Sequence, residues 1–509
     1  MTEKTLVEVP EITLGDMNTE DFRNYGHKII DWIADYFSNI EQYPVLSQVK
    51  PGDIKNNLPK LPPDKSEQMD EILDDINKII LPGITHWNHP AFNAYFAVSA
   101  SGPGILGELL CSAFNINGML WKTSPSATEL EEVALGWLRG MLGLSEKFFG
   151  IIYDTASISV LHAIAAAREK LNLQIREEGM SGREELPKLR VYCSQETHSS
   201  IEKAAILLGI GQSNVVKIPV DNEFKMNAEA LSHAIEKDLD AEFIPCCVIA
   251  TVGTTSSTSI DPLSSISDIC RKYDIWLHVD GAYGGSALIL PEMKELVTEI
   301  NKADSFVLNP HKWLFTPIDL SVFYCKHQKI LKKAFSLIPE YLVTNDINEV
   351  INYMDYGIQL GRRFRALKLW MIIRYFGKDG LIARIREHIR LAKLFASWID
   401  LNPDFERLAQ VHFSVVCFRA CPIEIKEKLN SANQNEKSKI ENYLDKLNAE
   451  IINSINSSGR IYISHTKLNE KYTIRYAIGN IRTNEKHIKA AWELIQQYTK
   501  EIYERINKS

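Results

Sequence analysis

Between residues 150 and 330, short β-branched or aromatic runs alternate with helical stretches, and this alternation constrains the fold more than any other feature. The runs are Leu189 to Ser194, Val215 to Pro219, Cys246 to Val252, Trp276 to Val279, Phe306 to Leu308 and Val322 to Cys325. Segments such as Ser200 to Leu208 and Ile266 to Tyr273 lie between them and suit helices. Strands joined through helices pair in parallel, because the crossover returns the chain to the same end of the sheet. The pattern therefore predicts an α/β fold: a mostly parallel sheet covered by helices, with ligands at the carboxyl ends of its strands. The 509 residues, 45% of them hydrophobic, supply the core that such a sheet needs.

The flanking regions read differently. Residues 18 to 50 form an amphipathic helix pattern, with Phe22, Tyr25, Ile29, Ile30, Trp32, Ile33 and Phe37 at helical spacing. The Pro-rich run Leu58 to Pro63 is a linker, and a second helix is expected from about Glu67 to Ile80. A long helix from Arg363 to about Asp400 leads into a smaller α+β region. There, residues 427 to 440 are rich in Asn, Ser, Gln, Lys and Glu and read as an exposed loop, while Tyr472 to Ala477 and Glu485 to Ile502 read as a strand and a closing helix. The expected division is an N-terminal helical arm over 1–101, a large domain over 102–370 and a small C-terminal domain over 371–509.

Charge and cysteine content exclude several classes. A net charge of -8 without a basic block argues against nucleic acid and anionic membranes as partners. The first ten residues lack a basic flank followed by an apolar stretch, so no signal peptide is expected, and no apolar run is long enough to span a bilayer. Eight cysteines in such a chain are too few for a disulfide framework, and Cys417 and Cys421 have neither zinc-type nor redox spacing. The reading is a soluble cytoplasmic protein without a metal.

Four segments at strand ends carry chemistry. In Ala303 to Trp313, Lys312 follows an apolar strand and Asn-Pro-His, an odd place for a solvated charge. A buried ammonium is costly unless its pKa falls or it is consumed in a covalent bond, as in a Schiff base with an aldehyde cofactor. In Trp276 to Gly285, Asp280 ends a strand and precedes small residues. Pyridoxal phosphate needs such an acid beside its ring nitrogen, although an Asp here also suits a helix cap. Thr155, Ala156, Ser157 and Ser159 open the helical run Val160 to Lys170 and could offer N–H groups to a phosphate, or form a simple cap. His198, after the strand Leu189 to Ser194, could stack on a cofactor ring. Each alone is weak; the four together point to one site.

These segments resemble the group II pyridoxal-phosphate decarboxylases, specifically the aromatic-L-amino-acid decarboxylases. The resemblance extends over Leu81 to Trp87, Thr123 to Glu131, Thr251 to Thr255 and Leu360 to Arg365. It implies a fold type I (aspartate-aminotransferase-like) subunit with a mostly parallel seven-stranded sheet. It also implies a homodimer with shared active sites, the N-terminal arm packing on the partner subunit. By position, Lys312 would bind the cofactor aldehyde, Asp280 would pair with the pyridine nitrogen and His198 would stack on the ring. Ala156, Ser157, Asn309 and His311 would hold the phosphate, and Thr255 and Ala282 would line the cofactor. The family's catalytic loop falls at about Phe335 to Glu349, and its Tyr341 would protonate the carbon that loses carbon dioxide. Where relatives carry Phe at that position, the product tends toward an aldehyde.

Trp87, Tyr95, Phe96, Met119 and Gly361 match positions that wall the substrate pocket in the family. Gly361 leaves room for an indole, and Ala97, Val98 and Met119 replace residues that animal dopa decarboxylases use. The expectation is decarboxylation of an aromatic L-amino acid, tryptophan first, with phenylalanine, tyrosine and dopa behind it. The rivals are an aromatic aldehyde synthase, an acidic-amino-acid decarboxylase, which would need a cation that the apolar wall does not supply, and a non-catalytic scaffold.

Overall fold

A computed structural model describes residues 15–96, 98–337 and 350–508. The chain forms two compact units, divided between His86 and Trp87, so the expected arm of residues 1–101 runs across that boundary. In the first unit the helical periodicity becomes a helix at Thr19–Ser38, shorter than the 18–50 expected, with Asn18 as its cap. A second helix at Met69–Asp75 continues as a wider turn through Ile80.

The second unit contains two sheets. Strand β1 (Phe92–Asn93) belongs to the smaller one. The larger is built from β2 (Phe149–Tyr153), β3 (Leu189–Ser194), β4 (Val215–Ile218), β5 (Ile244–Thr251), β6 (Trp276–Asp280), β7 (Ser305–Leu308) and β8 (Ser321–Cys325). Its order is β2-β8-β7-β6-β5-β3-β4. Strands β4, β3, β5, β6 and β7 pair in parallel, and β8 runs antiparallel to both β7 and β2. The seven-stranded, mostly parallel α/β sheet is as expected.

Continuous apolar runs suit strands covered on both faces. Along β5 the side chains alternate between two cores. Val248 and Ala250 pack with Leu138, Leu277 and Ile266, while Cys247 and Ile249 pack with Val160, Ile164 and Val191. The smaller sheet is completed by β9 (Phe405–Arg407), β10 (Val415–Ala420), β11 (Tyr462–Leu468) and β12 (Lys471–Ala477). Its β1 pairs in parallel with β11, which fastens residues next to Trp87 to the C-terminal region.

One expectation is corrected. Residues 427–440 are not an open loop but parts of two helices, Ile423–Ser431 and Gln434–Ser457. Asn433 accepts from the Glu436 N–H and the Glu436 side chain accepts from the Asn433 N–H, a reciprocal cap that starts the second helix. A polar stretch is also what a solvent-facing helix start looks like; the apolar positions Leu444, Leu447, Ile451 and Ile455 that anchor this one come later. The helix Ala366–Leu401 appears where expected and is interrupted at Gly377.

Candidate active site

Five strands of the larger sheet end at the same edge, and the chain leaving β2, β3, β5, β6 and β7 surrounds a cavity of about 460 Å³. Ala156, Ser157, His198, Thr255, Asp280, Ala282, Asn309, His311 and Lys312 line it, as do Trp87, Tyr95 and Phe96. The positions scattered over the sequence therefore meet. Met119 and Gly361 do not line this cavity. Met119 packs on Leu120 and Met354, and both Met119 and Gly361 lie against Asn117. Tyr341 lies outside the described residues.

Lys312 sits in the short turn Pro310–Trp313 after β7, half-buried, with Nζ 4.9 Å from the Phe96 ring centroid. Burial lowers its pKa; Asp280 opposes this and the charge of Arg475 reinforces it. Asp280 ends β6, is 6% exposed, and accepts the Ala282 N–H at 2.9 Å. Both groups are where an apolar strand gives out, so neither can retreat into bulk water.

His198 and His311 are held neutral. The Ser200 N–H donates to His198 Nδ1 at 3.2 Å, which requires a lone pair there and places the ring proton on Nε2. Burial lowers the His198 pKa, against the pull of Asp280. The Leu320 N–H donates to His311 Nδ1 at 2.9 Å, and burial pushes His311 down to about 3.

The helix Ala156–Lys170 begins at the cavity. Its cap residue Thr155 is extended and makes no side-chain capping bond, so the first-turn N–H groups are not closed off by their own chain. The Thr155 hydroxyl turns instead to Asp154 Oδ1 at 3.2 Å. Two more polar atoms at the cavity, Asn309 Oδ1 and Thr251 Oγ1, are buried without a partner among the described residues. Gly253, with φ of +89°, brings the turn after β5 against Gly284, where a Cβ would stand 3.2 Å from the Gly284 nitrogen. An uncapped helix start, orphaned polar atoms, a buried acid and a lysine of lowered pKa fit pyridoxal phosphate. Its phosphate would be held by Ala156, Ser157, Asn309 and His311, its ring nitrogen by Asp280 and its aldehyde by Lys312.

Two contributions to the site were not read from the sequence. Strand β11 contributes Ser464, His465 and Thr466, and β12 contributes Arg475. Arg475 qualifies the expectation that the apolar wall supplies no cation, since it lines the same cavity as Trp87, Tyr95 and Phe96. Its signal was present: a charge inside the apolar run Tyr472 to Ala477 is the same anomaly that singled out Lys312. In strand β11 only Ile463 and Leu468 are buried, with half-exposed and exposed positions between them and no continuous apolar face, which hid it.

A family model described as the pyridoxal-dependent decarboxylase conserved domain matches residues 51–421. Phenylacetaldehyde synthase from Arabidopsis thaliana is 42% identical over 494 residues, covering 95% of this chain and 97% of that protein. Tyrosine decarboxylase 3 from Petroselinum crispum is 41% identical over 498 residues, covering 96% and 93%. The crystal structure of Oryza sativa TDC with PLP and tryptamine superposes with a TM-score of 0.89 at 35% identity, covering 96% of this chain and 100% of that one.

Proposed function

The chain belongs to the pyridoxal-dependent decarboxylase family, and on that premise we propose that it removes the α-carboxyl group of an aromatic L-amino acid, releasing carbon dioxide and the amine. The observation that carries this reading is a single cavity joining Lys312 and Asp280 to the aromatic wall of Trp87, Tyr95 and Phe96. When bound, pyridoxal phosphate supplies an aldehyde for the substrate amine and a cationic ring that draws off the electron pair left by departing carbon dioxide.

The protein's own groups do the rest. Lys312, its pKa lowered by burial, offers a neutral Nζ more readily than a solvated lysine. Asp280 would hold the ring nitrogen and favour its protonated form, and neutral His198 would supply a flat ring without a competing charge. The wall takes the substrate's aromatic ring, with Phe96 stacked on Tyr283 at 4.0 Å and Trp87 on Phe92 at 4.3 Å. Tyr341 is assigned the return of a proton to the carbon that lost its carboxyl group. Tryptophan is the first-choice substrate, ahead of phenylalanine, tyrosine and dopa.

The assembly we propose is a homodimer that completes the site. Ile318 lines the cavity yet is 65% exposed, and Leu106, Leu109, Leu110 and Phe114 leave an apolar stripe open on the helix Gly102–Phe114. Met119 and Gly361, which do not line their own cavity, are assigned to the partner's pocket. The cytoplasm is the proposed compartment: all eight cysteines are free and buried. No helix among the described residues is long and apolar enough to cross a membrane.

The test is purified protein with added cofactor and a panel of amino acids, scored by amine mass. Amines from aromatic substrates, lost in Lys312→Ala, are expected. Stoichiometric aldehyde, hydrogen peroxide and ammonia would instead establish the aldehyde synthase; products only from acidic amino acids would overturn the aromatic reading.

A further inference from the structure

A second cavity, of about 560 Å³, opens at the other end of the larger sheet, where β3 begins at Leu189 and Asn214 leads into β4. It shares no lining residue with the candidate active site. The helix Ala156–Lys170 connects the two: Ala156 lines the first cavity, and Arg168, about 18 Å further along the helix axis, lines the second. The wall of this second cavity is aliphatic, formed by Ile175, Met180, Leu186, Leu207, Leu208 and Ile210. Its charged groups are all cations, Arg168, Arg183 and Lys188, in a chain whose net charge is -8. Neither an aromatic nor an acidic side chain lines it.

The three cations differ in what they already hold. Arg183 is committed, to Glu185 at 2.7 Å, to Glu178 at 3.4 Å and to the Leu173 carbonyl at 2.9 Å. Arg168 is half-buried, and one of its nitrogens, Nη1, donates to the Leu208 carbonyl at 2.8 Å; the side chain has no other polar partner among the described residues. The adjacent carboxylate of Glu169 turns to Lys333 at 2.7 Å instead. The Arg168 guanidinium has thus given up water without gaining a counter-charge, which an anion would supply. Lys188 is exposed, and its ammonium has no partner among the described residues. We propose that this cavity binds an amphipathic monocarboxylate, its carboxylate on Arg168 and Lys188 and its hydrocarbon chain along the aliphatic wall. Two uncommitted cations match a single carboxylate. Apolar walls with a few convergent polar groups, around about 300–1,000 Å³, are the usual form of a small-molecule site. An α-amino acid and its amine product each carry an ammonium, and no acidic group lines the cavity to receive one. The ligand is therefore a different molecule from those handled at Lys312.

The experiment is equilibrium dialysis of the holoenzyme against radiolabelled octanoate, octan-1-ol and acetate. Octan-1-ol keeps the chain without the charge, and acetate keeps the charge without the chain. Octanoate is expected to bind at least about tenfold more tightly than either. Failure of octanoate to bind, or equal affinity for octanoate and one of the other two, overturns the proposal. Two variants then locate the bound octanoate. Lys188→Glu reverses a charge at an exposed position that has no contact to lose, so folding is not at stake. It should weaken octanoate about tenfold or more while octan-1-ol stays within about twofold. Arg168→Gln keeps a donor for the Leu208 carbonyl but removes the charge, with the same pattern expected. Unchanged octanoate affinity in either variant places the ligand elsewhere, the cavity at Lys312 included, and overturns the proposal. Equal weakening of octanoate and octan-1-ol in Lys188→Glu removes the carboxylate contact and overturns it as well.

Discussion

Strand β2 is one edge of the larger sheet, and the outward-facing backbone of Ile152 is closed by an ion pair, so deleting Glu131 should loosen that edge. The Ile152 N–H donates to Glu131 Oε1 at 2.9 Å, while its carbonyl accepts from Arg362 Nη2 at 3.0 Å. The same Nη2 donates to Glu131 Oε1 at 2.6 Å, and the two side chains are only 7% and 5% exposed. Removing one partner of such a buried pair costs about 3–5 kcal/mol, mostly from the charge left behind. For Glu131→Ala the lower end is expected, about 3 kcal/mol, since Arg362 keeps the carbonyls of Ile152 and Gly118 and lies over the Tyr353 ring. Arg362→Met should cost a similar amount. The double variant strands no charge and orphans the same three backbone groups as the two singles together, the Ile152 N–H and the Ile152 and Gly118 carbonyls, so it should fall short of the sum of the singles by the cost of the stranded charges, about 2 kcal/mol or more. Urea denaturation followed by tryptophan fluorescence measures all four proteins. A Glu131→Ala cost below about 1 kcal/mol, or additivity within about 0.5 kcal/mol, would refute the reasoning.

Three further outcomes follow from the geometry. Burial raises the Asp261 carboxyl to about 6 from 3.8, although the Met226 and Thr251 N–H groups bonded to it pull the other way. The folded chain thus holds this proton more tightly than the unfolded one. The stability it contributes is complete below about pH 3.8 and is lost as pH rises through about 6. Melting temperatures of Asp261→Asn and the parent between those limits should show a flatter slope for the variant; parallel curves would argue against it. In Gly284→Ala the new Cβ would meet the Val252 carbonyl oxygen at 2.5 Å and Phe413 at 2.7 Å, so a loss of at least about 2 kcal/mol is expected in the same denaturation assay. Asn309→Leu should weaken cofactor binding about tenfold in an equilibrium titration while leaving the melting temperature of the cofactor-free protein unchanged; undiminished affinity would take Asn309 out of the phosphate site.

Much of the site was legible because its residues violate local expectation. Lys312 and Asp280 stand where apolar strands end, and a charge in such a place announces itself without a partner in view. Arg475 obeys the same rule and was passed over, since its run lies outside the region of clear strand–helix alternation. Residues 427–440 were misread because polar composition does not separate a solvated loop from the exposed face of a helix; the cap at Asn433 and Glu436 does. The placement of Met119 and Gly361 away from the cavity had no local signal, as it depends on how Asn117 and Arg362 join distant segments.

The amino-acid order by itself determined the strands from β3 to β8, the α/β class and the chemical identity of the groups at the strand ends. These are local matters, set by apolar periodicity, by backbone preferences and by the cost of a charge beside an apolar run. Tertiary structure alone decided that β2, separated in sequence from its partner β8 by most of the sheet, closes one edge. It also brought β11 and β12 to the cavity and left one nitrogen of Arg475 without a partner. Strand order and donor satisfaction arise from contacts between residues hundreds of positions apart, and no periodicity within a single element encodes them.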